Sequence, residues 1–318
     1  MTPNDMLMII GFTLAAYSVV SNDSIQTLGT FLAANAERQW WVLWGFASSI
    51  LVGVLLYGWI VNSGDPSYGR LAKFPEPTGG LNWLHIGAPL ILLLLTRWGI
   101  PVSTTFLVLS VFAPGNIESM LSKSLLGYLV AFVVAIVLYT MLRKFMSSFL
   151  APINAERSKQ WVVLQWAATA FLWSQWLVQD LANIFVFLPR ELSLNWLLFG
   201  TVILVAMQGY TFYQKGGAIQ EIVRSKQAVT DIRAATLIDL SYGLILLFFK
   251  ELSAIPMSTT WVFLGLLAGR EIAITLHMDS TDKARARKLI LSDATKAGLG
   301  LVISVALAVA GIYLTDSN

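Results

Sequence analysis

Two short runs in this chain place hydroxyls where an anion could bind. Ile100-Pro101-Val102-Ser103-Thr104-Thr105-Phe106 recurs as Ile255-Pro256-Met257-Ser258-Thr259-Thr260-Trp261, with Pro101 and Pro256 155 positions apart. Proline lacks an amide proton and cannot continue a preceding helix, so the helix before it ends there. The residues after it open a new helix, whose first amides have no intrahelical partner and carry the positive end of the dipole. Hydroxyls beside such amides make an anion site. Ser103, Thr104, Thr105, Ser258, Thr259 and Thr260 are therefore the candidate substrate-binding residues, and the substrate class is an oxyanion. The plainer alternative is that these side chains only cap their helices or bond back to carbonyls inside a membrane. One copy alone would favour that alternative; two copies at matched places favour a site.

A second duplicated feature is acidic. Asn22, Gln26 and Thr30 lie at i, i+4 and i+8, one helix face, and Gln175, Gln179 and Asn183 do the same later in the chain. Asp23 and Asp180 sit beside these stripes, within otherwise apolar segments. An aspartate at the centre of a bilayer costs roughly 2.5–3.5 kcal/mol on insertion scales. Neither stretch offers a Lys or Arg within a turn. A bound cation is the natural partner, with carboxamide and backbone oxygens completing a hard-cation shell. Asn22, Asp23, Gln26, Gln179, Asp180 and Asn183 are the candidate metal ligands. The alternative is that the aspartates are protonated or paired with an arginine from another helix. A cation that offsets both a carboxylate and a bound anion couples the two ligands, and symport requires such coupling.

Other polar residues are weaker candidates. Arg97, four residues before Pro101, reads as structural or snorkelling. Asp239 reads as packed against polar neighbours. His85 and His277 are isolated, no Gly-rich phosphate loop or zinc-protease motif occurs, and no nucleophile–base pair suggests an enzyme. The expectation is of no catalytic residue and no cofactor beyond a coupling ion.

The elements that must position these residues are membrane helices. Apolar residues make up 56% of the chain and charged residues 12%, about half the charged share of a soluble domain. Apolar segments fall at roughly 5–35, 40–62, 81–98, 100–115, 121–142, 160–188, 193–213, 233–253, 255–277 and 297–314. Several approach or exceed the length that spans a bilayer. Tryptophans mark segment ends at Trp40, Trp41, Trp83, Trp161 and Trp196, as interfacial belts do. The net charge is +3 and the pI about 9.1. The basic residues lie in short loops, which fits the positive-inside rule and excludes a nucleic-acid partner. With no cysteine, disulfides and thiolate metal sites are excluded. The first residues lack a basic n-region and a small-residue cleavage site, so the first apolar stretch is expected to be a membrane segment rather than a cleaved signal.

Loop 214–233 carries Lys215, Arg224, Lys226 and Arg233, loop 278–296 carries Lys283, Arg285, Arg287, Lys288 and Lys296, and both are expected inside. Between them two apolar segments join at Pro256 through a mostly apolar junction, which reads as a re-entrant hairpin with its tip inside the membrane. Residues 81–115 read as the equivalent hairpin. Loop 143–160 is then inside, loop 63–80 outside, and both termini outside. Segments 5–35 and 160–188 exceed one span, which allows a break near each aspartate. The expected fold is all-α and polytopic. Its two inverted-topology repeats, 1–145 and 155–318, each hold three spans and a hairpin, the plan of many secondary transporters.

At these residues the chain resembles the inorganic phosphate transporter (Pit) family, the sodium- or proton-coupled phosphate permeases. That family carries a Gly-Ala-Asn-Asp-Val-Ala-Asn-Ala motif and a Pro-Val-Ser-Thr-Thr-His motif in each half. Here the first reads Val20-Ser21-Asn22-Asp23-Ser24-Ile25-Gln26-Thr27 and Leu177-Val178-Gln179-Asp180-Leu181-Ala182-Asn183-Ile184. The second matches over Pro101–Thr105 and Pro256–Thr260, with Met257 for Val, and its histidine is replaced by Phe106 and Trp261. One motif Asn in each half is Gln, at Gln26 and Gln179, and the leading glycine is absent from both. The resemblance implies that the six tip hydroxyls contact the anion, and that Asn22, Asp23, Asp180 and Asn183 contact anion or sodium. It implies import of inorganic phosphate, or of sulfate as in some relatives. Sodium is preferred over a proton as the coupling ion. The setting would be a multi-pass inner cell membrane, with the lipid bilayer as a partner and a homodimer as the candidate assembly. A non-transporting anion receptor is the reading from another class.

Overall fold

The computed structural model describes residues 2–77, 79–97, 103–149, 155–215, 232–252 and 256–275, with isolated helical positions between 291 and 309. Among the described residues the regular structure is all helical, with no strand. Helix α1 spans Pro3–Ser21, α2 Asp23–Ala34 and α3 Trp40–Val61; α4 spans Trp83–Arg97. A π-helical turn at Thr105–Leu109 runs into the short α5, Ser110–Phe112. Then come α6 Ile117–Phe149, α7 Ala155–Asp180, α8 Ala182–Phe185, α9 Leu194–Tyr213, α10 Ile232–Leu252 and α11 Thr259–Thr275. A long helix broken beside an aspartate, a second span, and two helices meeting at a Ser-Thr-Thr tip thus occur twice in the same order.

Among the described residues, four helices are long and apolar enough to cross a membrane: α1, α3, the stretch Pro114–Met141 and α9. Their outer faces are apolar. Leu125, Leu129, Val133, Val137 and Met141 make an exposed i, i+4 stripe down α6, and Leu240, Leu244, Phe248 and Leu252 make another on α10. Polar residues are buried instead, Asn22, Asp23, Gln165, Gln179, Asp180 and Asn183 among them. A helical membrane protein has this distribution, because lipid rewards apolar surface and only the interior can satisfy polar groups. Trp83, at the first position of α4, is 78% exposed, as an interfacial anchor would be. Helix α7 is too polar to count among the four, since it holds the buried Gln165, Thr169 and Gln179. Neighbours wrap it: α10 along its length, with α3 and α2 alongside.

The two halves interleave. Helix α9 packs on α1 and α3, and α7 packs on α3 and α2. Indole donors stitch these contacts to backbone carbonyls: Trp44 Nε1 to Val205 O at 3.0 Å and Trp173 Nε1 to Ala47 O at 3.0 Å. Ser48 Oγ donates to Gln208 Oε1 at 2.7 Å. The tightest pairing is α6 with α11. A Cβ added at Gly265 or Gly269 would lie 2.4 Å from Tyr128 O and 2.2 Å from Phe132 O, so only glycine admits this approach. Ala131 and Ala135 face them, a small-residue seam of the kind that holds membrane helices together.

Two boundaries differ from expectation. The loop expected over 143–160 is helical at both ends, since α6 runs to Phe149 and α7 starts at Ala155. Arg143, Lys144, Arg157 and Lys159 are good helix formers, so their charge marked an interface without marking a coil. The breaks expected near the aspartates do occur: α1 gives way to α2 at Asn22, and α7 to α8 at Leu181. Residues 216–231 of the basic loop, nearly all of loop 278–296 with His277 before it, and most of the last apolar segment lie outside the described residues. So do Pro101, Val102 and the side chains of Gln26 and Arg97.

Candidate anion and cation site

The two tips meet at the centre of the fold. Thr105 Oγ1 donates to Met257 O at 3.3 Å, and the Phe106 and Trp261 rings lie 5.7 Å apart. Each tip is buried: Ser103, Thr104, Thr105, Ser258, Thr259 and Thr260 are all at or below 5% exposure. The serines act as N-caps. Ser103 Oγ accepts from Phe106 N at 3.2 Å, and Ser258 Oγ accepts from Trp261 N at 3.2 Å. The capping alternative therefore describes the serines, while Thr104, Thr105 and Thr259 turn to the central groups. The amides of Thr104, Thr105, Thr259 and Thr260 fall in the first turns, ahead of intrahelical pairing. Ser258 N itself donates to Ser124 Oγ of α6 at 2.8 Å, which pins the second tip.

Around the first aspartate every carboxylate oxygen has a donor. Asn22 Nδ2 donates to Asp23 Oδ1 at 2.7 Å, and the Thr104 hydroxyl donates to Oδ2. Thr27 Oγ1 donates to the Asp23 carbonyl at 3.1 Å. The break at Asn22, with φ −106° and ψ −70°, turns α2 so that Asp23 faces the tip.

Around the second aspartate the pairing is incomplete. Asn183 Nδ2 donates to Asp180 Oδ1 at 2.6 Å and to Thr105 Oγ1 at 3.4 Å. Gln179 Nε2 donates to Leu246 O of α10 at 3.1 Å. That leaves Gln179 Oε1, Asp180 Oδ2 and Asn183 Oδ1 buried with no donor among the described residues. Asp23 and Thr259 stand beside Asp180, close enough to act on its charge. Three buried oxygens, one of them from a carboxyl group, suit a hard cation such as sodium, and the donor set contains no nitrogen or sulfur ligand. Tyr242 of α10 closes the group by donating its hydroxyl to Thr259 O at 3.0 Å.

The structure thus gathers Asn22, Asp23, Gln179, Asp180, Asn183, Thr104, Thr105 and Thr259 into one buried cluster; Thr260 is buried at the tip without a hydrogen bond to it among the described residues. Thr30 and Gln175, expected on the same stripes, point elsewhere. Thr30 donates to Asp239 Oδ1, while Gln175 donates to Ser174 Oγ at 3.3 Å. Asp239 is packed as expected against polar neighbours, with Thr169 Oγ1 at 2.5 Å and Gln165 Nε2 at 3.5 Å as donors. His85 sits against Asn82 Oδ1 at 2.7 Å and the Phe112 ring, apart from any metal-like group.

Three neighbours of the cluster escaped the sequence reading. Ser124 and Tyr242 are polar residues inside apolar runs, with no motif to flag them. Arg70 lies in the segment read as an external loop, and it is only 3% exposed. The density of turn formers in Asn62-Ser63-Gly64-Asp65-Pro66-Ser67-Tyr68-Gly69 was the available signal that this loop folds inward.

In comparisons with known proteins, no family model matches the chain, and no curated protein matches it in sequence. A solved structure described as "The sodium-dependent phosphate transporter" does match. The likeness covers 99% of this chain and 99% of that one, with a TM-score of 0.64 and 18% sequence identity. It establishes that this chain shares that protein's fold over essentially its full length.

Proposed function

We propose that this chain is a cation-coupled symporter that imports inorganic phosphate by alternating access, with sodium as the coupling ion. The observation that carries the reading is the junction of two hydroxyl-bearing helix starts with two buried aspartates, one of which keeps an oxygen without a donor. The fold shared with a sodium-dependent phosphate transporter supports it. Helix starts at Thr104 and Thr259 supply positive dipole ends and hydroxyls for the oxyanion. Gln179 Oε1, Asp180 Oδ2 and Asn183 Oδ1 supply the oxygens for a cation beside it. With the cation bound, the site loses the repulsion that two carboxylates would exert on an anion. Each ligand then raises the affinity for the other by the same factor.

Phosphate is favoured over sulfate by the same oxygens. Monohydrogen phosphate can donate a hydrogen bond to Asp180 Oδ2, and sulfate has no proton to give. The repeats 1–145 and 155–318 would be inverted relative to each other, so that rocking one against the other exposes the tips to either side. The chain would sit in the inner cell membrane with both termini outside.

The test is uptake of labelled phosphate into proteoliposomes under an inward sodium gradient, a proton gradient, or neither. Sodium-driven uptake that unlabelled sulfate fails to compete with is the expected result. Uptake driven only by protons would reassign the coupling ion. Competition by sulfate would reassign the anion. Anion binding without flux would make the chain a receptor.

A further inference from the structure

Arg70 lies in the 63–80 segment between α3 and α4, and its surroundings are those of a ligand-binding arginine. The segment is held by its own hydrogen bonds. Asp65 Oδ1 accepts from Ser67 N at 2.7 Å and from Ser67 Oγ at 2.6 Å, and Tyr68 hydroxyl donates to Val54 O at 2.9 Å. Tyr68 and Gly69 both take positive φ, 60° and 76°, and this turn reverses the chain and drops Arg70 inward. The side chain is 3% exposed, its Nε is buried without an acceptor, and among the described residues the guanidinium makes no hydrogen bond or ion pair. Burial lowers its pKa to about 10 and Asp180, Asp65 and Glu251 oppose the fall, so it is charged at neutral pH.

Arg190 shows what a structural arginine looks like in the same region. It lies in the facing loop between α8 and α9. Its guanidinium donates to Phe74 O at 2.6 Å, Val186 O at 2.8 Å, Leu188 O at 2.9 Å and Pro75 O at 3.2 Å. Those bonds clamp the two loops together. Arg70, a few residues away in sequence from that clamp and more deeply buried, has none of this. A buried guanidinium without partners is costly, and a fold that keeps one does so where an anion repays it. Asp180 of the central cluster is near enough to act on Arg70, and Lys123 of α6, next to the tip-pinning Ser124, is near enough to repel it. Two cations therefore flank one side of the tips.

We propose that Arg70 is an anion-binding residue of this site, closing on the phosphate from the side of the 63–80 segment, with Lys123 adding a weaker field behind it. The inference rests on the phosphate reading above. Arginine suits the task because its planar fork can hold two oxygens of a tetrahedral oxyanion at once, which a lysine cannot. With the anion held between Arg70 and the two helix starts, its charge is met from both sides of the cluster.

The test is the kinetics of R70Q and R70K in proteoliposomes. Loss of a buried charge-assisted contact should raise the phosphate KM by about 30-fold or more in R70Q, with partial recovery in R70K. The sodium concentration giving half-maximal uptake, measured at saturating phosphate, should move far less. K123Q should raise the KM by a few-fold only, as a more distant charge does. A wild-type phosphate KM in folded R70Q overturns the assignment while wild-type transport stands. Wild-type protein that moves no phosphate overturns the proposed function, and the assignment with it. Should R70Q fail to insert, the wild-type protein still decides the question. Phosphate at saturating concentration should slow phenylglyoxal modification of Arg70, read by peptide mass spectrometry, and leave Arg190 unaffected. Equal modification with and without phosphate overturns the proposal.

Discussion

The two aspartate centres carry nearly the same motif and are saturated to different degrees. Asp23 has a donor on each carboxylate oxygen, from Asn22 and from Thr104. Asp180 accepts from Asn183 on Oδ1, while its Oδ2 and two more buried oxygens nearby, on Gln179 and Asn183, have no donor among the described residues. The two centres share a recurring motif; the difference between them comes from single residues. In the first half the residue before the aspartate is Asn22, short enough to turn its amide onto Asp23. In the second it is Gln179, whose extra methylene carries the amide to Leu246 O of α10 and leaves its oxygen behind. The first centre is thereby completed by protein donors, and the second keeps acceptor capacity for a cation.

The largest effect expected from this asymmetry is at Asp180. D180N removes the only carboxyl oxygen of the unpaired set. It should weaken sodium activation of phosphate uptake by at least about 100-fold, more than the loss of a secondary contact to a metal site. The measurement is uptake rate against sodium concentration. If D180N keeps the wild-type sodium dependence, the cation does not sit at the second centre. D23N comes next. An asparagine there can still accept from Thr104 or Asn22 but not in the same way from both, so one buried donor loses its partner. We expect uptake to fall by about 10-fold, from about 1–3 kcal/mol of unsatisfied polar burial, with the sodium dependence less altered than in D180N. Equal sodium shifts in the two variants would erase the comparison.

Much of this arrangement was legible in the sequence because it was written twice. Pro-x-Ser-Thr-Thr at two places announces two helix starts, and an aspartate in each apolar run announces buried charge. The breaks at Asn22 and Leu181 follow from segments too long for one span. What was not legible depended on third dimensions of packing. Nothing in a stripe of Asn22, Gln26 and Thr30 says that Thr30 turns to Asp239 on α10, because the partner lies over two hundred residues away. The role of the serines as caps, distinct from the threonines, is set by the pitch of the first turn. The seam of Gly265 and Gly269 on Ala131 and Ala135 is spaced like any small residues in an apolar helix until the facing helix is known. Arg70 escaped because a polar segment reads as solvent-exposed, whereas this one folds back against the cluster.

The tip threonines offer a finer test of the same asymmetry. T104V removes the hydroxyl that donates to Asp23 and strands a carboxylate oxygen, whereas T259V removes a hydroxyl beside a carboxylate oxygen that already lacks a donor. T104V should therefore reduce uptake more, by about 5–10-fold, consistent with about 1–1.5 kcal/mol for one buried hydrogen bond. T259V should act mainly on the phosphate KM. Interchanged results would mean that the second tip, and not the first, is the one held by its aspartate.

The smallest difference is expected at the serines, and it marks where the two halves are alike. Ser103 and Ser258 cap their helices through the same geometry, each accepting from the amide three residues on at 3.2 Å. Replacing an N-cap serine by alanine costs about 1 kcal/mol. S103A and S258A should therefore lower thermal stability in detergent by similar small amounts and change the phosphate KM by no more than about two-fold. A KM shift of ten-fold or more in either variant, without a matching loss of stability, would return that serine to the anion. The second cap has one extra constraint, because Ser258 N is also held by Ser124 Oγ. That bond does not involve the Ser258 hydroxyl and survives the substitution, so the second tip should tolerate loss of its cap slightly better than the first.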